Sequence, residues 1–227
     1  MRYELDPEAR DHLVPPAKRR SADVDLWVAG LNHFYREQLQ LFARAGREPS
    51  AGALIDYQQP LPGCSINPEN VVYCRSADEH GNVRLPSRRV IDTLLRAGVC
   101  RLLVGHTPAG DSPAVLRDRD FTLIVGDSSY SRLERGAQII LADDLRIQVR
   151  SGAQLDSGRE VTLRFVLEPG DGSPIGRRIA ETGQLVTGQL QGSGRYLLYQ
   201  ALPHHQVQQV TAAAAELNAR RLLPPVE

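Results

Sequence analysis

At 227 residues the chain is long enough to bury a sizeable core, so a miniature held by disulfides is excluded. Its 27 basic and 27 acidic side chains cancel to a formal charge of zero, which removes any electrostatic case for nucleic acid, an anionic membrane or an acidic partner. Three cysteines, Cys64, Cys74 and Cys100, form an odd set without close pairing, which fits a reducing compartment and no zinc knuckle.

The N-terminus has no charged-then-apolar plan of a signal peptide, and no stretch reaches the ~18 apolar residues of a membrane span, so a cytoplasmic protein is expected. Residues 1 to 20 carry Pro15-Pro16 and Lys18-Arg19-Arg20, follow neither helical nor strand periodicity, and read as a lead-in. A helix capped at Ser21 or Asp23 follows, with Val24, Trp27, Leu31, Phe34, Tyr35 and Phe42 on one face and Gly46 as its stop. That stripe is read as packing. From Gly46 to Pro86 turn formers dominate, with one short strand expected at Val71–Cys74. Ser87 caps a second helix whose Val90, Ile91, Leu94 and Leu95 face one way, and Gly98 ends it.

Arg101-Leu102-Leu103-Val104 then reads as a buried strand that ends in Gly105-His106-Thr107-Pro108-Ala109-Gly110-Asp111. Phe121–Val125 is a second such run, ending in Gly126-Asp127-Ser128-Ser129, so neighbouring strands are expected to present polar loops at their carboxyl ends, where sites on mixed sheets sit. Beyond residue 137 the pattern changes to alternating strands, expected at 138–141, 144–150, 160–167, 184–190 and 195–200, forming an antiparallel layer. The segment from Gln206 to Arg221, with its alanine run 212–215, reads as a closing helix.

On the residues alone, two readings of His106 stay open: a hydrogen-bonded structural histidine, or a ligand aimed into a cleft. Gly105 favours the second, by letting the backbone turn sharply and approach another element closely. Asp111 and Ser112 follow closely enough to reach a bound phosphate or to position His106, and a turn-capping role for the aspartate is equally open. Asp127 with Ser128 and Ser129 can orient the neighbouring loop in the same way. His33 reads as a helix-surface residue, His80 in Asp78-Glu79-His80-Gly81-Asn82 as part of an exposed polar turn, and His204-His205 as an adjacent pair whose rings diverge. His12, like His33 and His80, could in principle supply a second ligand.

The string Val104-Gly105-His106-Thr107-Pro108, a loop of about a dozen residues, and an apolar strand closed by Asp127 together resemble the end of the calcineurin-like metallophosphoesterase domain. The resemblance covers residues 20 to 132, with motif-grade specificity over 100 to 131. It implies that His106 is a metal ligand and that phosphoesters, on a protein or a small molecule, are the substrates. It also implies two divalent ions, manganese, iron or zinc, held by aspartate, histidine and asparagine. The fold expected is α+β: part of a layered α/β/β/α sandwich over residues 1–136, then a β-rich accessory subdomain with a closing helix over 137–227. The family's other ligands come from motifs of the forms Asp-x-His, Gly-Asp-x-x-Asp and Gly-Asn-His, and the expectation is that none of the three occurs in this chain. The expectation is therefore a C-terminal portion, catalytically silent as given. The alternative is a noncatalytic binding or regulatory module derived from a metallophosphoesterase.

Overall fold

The computed structural model describes residues 24–45, 76–78, 80–105, 108–128, 136–203 and 206–224. Mixed α and β structure is what it shows, mostly sheet with few helices. Two compact units divide the chain: the described residues 24–45 and 92–98 belong to the first, and the remainder to the second. The expected strand at Val71–Cys74 lies outside the described residues.

In the first unit, helix α1 spans Val24–Ala45, within the bounds that its cap and Gly46 predict. Phe34 is buried on it and Phe42 half-buried, two turns apart on one face, while Tyr35 is exposed. His33 is exposed and its Nε2 lies 3.3 Å from Glu37 Oε1, a pair one turn apart on the helix surface.

Helix α2, Arg88–Arg96, starts where Ser87 leads into it, with the amides of Val90 and Ile91 both donating to the Ser87 carbonyl. Ile91 is buried, but Val90 is 46% exposed, so the expected common face of these two residues does not form. Adjacent helical positions point about 100° apart, and here Ile91 is the one that faces inward. The Arg88 guanidinium pairs with Asp118.

Among its described residues the second unit holds three sheets. Strands β1 (Arg101–Val104), β2 (Ala114–Asp118) and β3 (Phe121–Val125) form the first, in the order β1-β3-β2. β1 runs parallel to β3 in the register Val104↔Val125, and β2 pairs with β3 as an antiparallel hairpin. Central β3 is buried almost throughout, as its apolar run predicts. β1 corrects its expected burial: as the edge strand it leaves Leu103 59% exposed.

The second sheet is β4 (Gln138–Leu141), β5 (Ile147–Gln154) and β6 (Glu160–Leu167), antiparallel in that order. Its period-two pattern points Leu163, Phe165 and Leu167 of β6 inward. The third sheet, in the order β10-β9-β8-β7-β11, combines β7 (Arg178–Ile179), β8 (Leu185–Gln189), β9 (Arg195–Leu202), β10 (Gln206–Ala213) and β11 (Leu222–Leu223). A bridge from Leu163 to Leu190 ties β6 to the end of β8.

One core draws on all three sheets: Val115 and Ile124 from the first, Val149 and Phe165 from the second, Val186 and Leu198 from the third. Residue 136, the expected domain boundary, falls inside this unit, and side chains from both sides of it share that core. The strands expected after residue 137 are present and antiparallel, with β5 running on to Gln154.

The expected closing helix over Gln206–Arg221 requires correction. Residues Gln206–Ala213 are β10, paired with β9 along its whole length from Gln206↔Leu202 to Ala213↔Arg195, and only Ala214–Asn218 form a helix, α3. Eight ladder pairs and the burial of Gln209 and Ala212 outweigh the weak helical preference of the alanine run. The helix begins where Glu216 Oε2 accepts the Ala213 amide at 2.6 Å.

Candidate functional site

Parallel pairing of β1 with β3 sends both strands out at the same end of the sheet, and the Gly126 amide donates to the Val104 carbonyl at 2.8 Å. The segments beginning at Gly105 and Gly126 thus leave side by side, as the two apolar runs predict. His106 and Thr107 lie outside the described residues, as do His12, His204 and His205. Asp127 and Ser128, on the second segment, are half-buried.

Downstream of His106 the loop returns to β2 through a buried polar lock. Asp111 and Ser112 are each 1% exposed. Asp111 Oδ2 accepts the Gln154 amide at 2.9 Å and Gln209 Nε2 at 2.7 Å, while the Asp111 amide donates to Gln209 Oε1 at 3.0 Å. The second hydrogen of Gln209 Nε2 goes to the Gln154 carbonyl at 2.9 Å, which uses the whole amide of a side chain that is 2% exposed. Gln209's own backbone is fixed in turn, its N–H reaching Asp156 Oδ1 at 2.9 Å and its carbonyl accepting the Asp156 amide at 3.0 Å. Ser112 Oγ lies 3.0 Å from Ser151 Oγ on β5. Asp111 and Ser112 therefore tie the loop to β5 and β10, a positioning role, and their described polar contacts are all within the protein.

At Gly105 a Cβ would meet none of the described residues within 4 Å, so the close approach expected of it is not made to them. Gly110 makes it instead. Its φ is +81°, and a Cβ would lie 2.7 Å from Gln209 Oε1 and 2.9 Å from Tyr199 Cδ2, so only glycine lets the loop reach the lock.

Asp78-Glu79-His80 does carry the Asp-x-His spacing, which corrects the count of family motifs ahead of His106. The structure uses Asp78 as a turn cap: its Oδ1 accepts the amides of His80 at 2.9 Å and Asn82 at 2.8 Å. Burial pushes the Asp78 carboxyl up, but the bonds from Asn82 and His80 outweigh it and hold the group below its ordinary value. His80 is exposed, in keeping with its reading as a polar turn.

Among the described residues no group of three or more histidine, cysteine, aspartate or glutamate side chains is assembled for a metal ion. Cys100 is a free, half-buried thiol. No helix among the described residues is long and apolar enough to cross a membrane. No protein-family model matches the chain, and no curated protein or solved structure matches it.

Sequence reasoning missed Gln154, Ser151 and Gln209. Each is a polar residue in a segment of ordinary strand composition, and nothing local distinguishes a glutamine that closes a lock from one that faces solvent.

Proposed function

We propose that the chain is a relative of the calcineurin-like metallophosphoesterases, carrying the Gly-His end of their layered α/β/β/α sandwich, with His106 as a metal ligand in phosphoester hydrolysis. The observation that supports this reading is the junction at the sheet end. β1 leads into Gly105-His106, its parallel neighbour β3 leads into Gly126-Asp127, and the following loop is held by a buried aspartate. Phosphorylated proteins and small phosphoesters are the substrate classes, and manganese, iron or zinc the ions, that the motif favours.

A second reading, a noncatalytic binding or regulatory module, draws on the donor set. The sequence lacks Gly-Asp-x-x-Asp and Gly-Asn-His, and its one Asp-x-His is engaged in a turn. Manganese titration followed by NMR of the histidine rings, with p-nitrophenyl phosphate turnover measured alongside, separates the readings. Saturable broadening of the His106 ring, abolished in His106→Ala, is the expected result. Turnover lost in the same variant would extend the reading to catalysis. No broadening at His106 would remove its role as a ligand and leave the module.

A further inference from the structure

A cleft of ≈330 Å³ opens in the second unit, lined by the tip of the β2–β3 hairpin, the turn before β5 and the segment 167–177. Its floor is apolar, with Ile147 and Leu167 each 1% exposed and Ile175 3%. Its charged lining divides into two sets. Arg117 is already engaged, donating to the Glu168 carbonyl at 2.8 Å and pairing with Asp171. Asp171 also accepts the amides of Glu168 at 2.7 Å and Ser173 at 3.2 Å, so the loop 168–173 is fastened to β2 and one wall is preorganised.

The second set is uncommitted. The side chains of Arg119, Arg177, Asp120 and Glu168 line the cleft and make no hydrogen bond or ion pair among the described residues. Arg119 (φ 49°) and Leu145 (φ 68°), the positive-φ non-glycine residues among the described ones, both line it as well. Glycine or asparagine ordinarily fills such positions, and here they carry long side chains into one cleft.

We propose that this cleft binds a small zwitterion with an aliphatic side chain, an amino acid or the free ends of a short peptide. Arg119 and Arg177 supply two guanidinium forks for a carboxylate. Asp120 and Glu168 supply acceptors for an ammonium group, and Ile147, Leu167 and Ile175 receive the aliphatic part. Two uncommitted cations against two uncommitted anions leave no net charge, which disfavours a phosphate or another polyanion.

Titration of the full chain with leucine, leucyl-leucine, N-acetyl-leucyl-leucine amide and inorganic phosphate, followed by amide and methyl NMR, tests the assignment. Saturable shifts at Thr122, Ile147 and Ile175 are expected with leucine or leucyl-leucine, and whichever saturates at the lower concentration identifies free amino acid or peptide as the source. Arg177→Ala and Glu168→Gln, exposed substitutions whose folding the same spectra verify, should each weaken that binding about tenfold, the loss of one charged contact. The doubly capped peptide should not saturate. Equal binding of capped and free peptide, saturation by phosphate alone, or no saturable shift with any probe would overturn the proposal.

Discussion

Replacing Gln209 with methionine keeps a side chain of similar length on β10 and removes every polar bond that its amide makes. Three bonds go: Nε2 to Asp111 Oδ2 at 2.7 Å, Nε2 to the Gln154 carbonyl at 2.9 Å, and the Asp111 amide to Oε1 at 3.0 Å. Asp111 Oδ2 keeps the Gln154 amide, but the buried Asp111 amide and the half-buried Gln154 carbonyl lose these partners. At about 0.5–1.5 kcal/mol for each of the two bonds to backbone groups and about 1.5–3 kcal/mol for the bond to the carboxylate, the expected destabilisation is roughly 2–6 kcal/mol. That is a large part of the 5–15 kcal/mol typical of a folded domain. Urea unfolding measures the loss, and native-state hydrogen exchange locates it: the Asp111 amide should lose protection while amides of the β5–β6 ladder keep theirs. A loss below about 1 kcal/mol with the Asp111 amide still protected would refute the lock as the support of this loop.

Three further outcomes are expected. Gly110→Ala combines a left-handed φ with a Cβ 2.7 Å from Gln209 Oε1 and should cost about 2–4 kcal/mol in thermal unfolding, whereas Gly192→Ala, at φ 71° with open space around it, should cost about 1 kcal/mol. Burial pushes the Asp171 carboxyl up, yet Arg117 and the amides of Glu168 and Ser173 hold it below its ordinary value of 3.8. Its stabilising contribution is therefore present above that value and lost as pH falls through the lower folded one, so a plot of Tm against pH should be flatter below about pH 4 in Asp171→Asn than in the wild type. Leu163→Ala empties a fully buried position beside Ala153, Leu190 and Leu197 and should lower stability by about 2–5 kcal/mol in urea; a change under 1 kcal/mol would contradict that packing.

What could be read from the chain was what local chemistry determines. Both helices appear where Ser87 and the glycines at 46 and 98 delimit them, and Phe121–Val125, being apolar at nearly every position, is recognisable as a central strand. Ala114–Asp118 reads as part of the loop after the Gly-His motif, because its three apolar residues acquire strand character only by pairing with β3. Gln206–Ala213 shows the opposite error: alanine and glutamine favour a helix locally, and partner β9, which the local sequence does not reveal, makes a strand of them. At the candidate site the Gly-His junction and Asp111 could be singled out because they lie close together. Gln209 could not, because its part depends on an approach 98 positions along the chain. The cleft at the hairpin tip was hidden for the same reason, being lined from three separate segments.

The distance in sequence between Asp111 and Gln209 also sets an order of events. Closing a contact across 98 residues is slow next to forming a hairpin, and on the ribosome its second half does not yet exist when the first emerges. At synthesis rates of about 5–20 residues per second, the loop after His106 waits roughly 5–20 s for the glutamine that fixes it. During that interval the β1–β3 sheet can assemble from local pairings, and Asp111 can meet the Gln154 amide, while the bonds to Gln209 remain unmade. The loop that follows the Gly-His motif thus takes its final form only in a chain made through β10, and an amber stop placed before Gln206 should yield a loop that keeps its bonds to Gln154 and Ser151 and lacks those to Gln209.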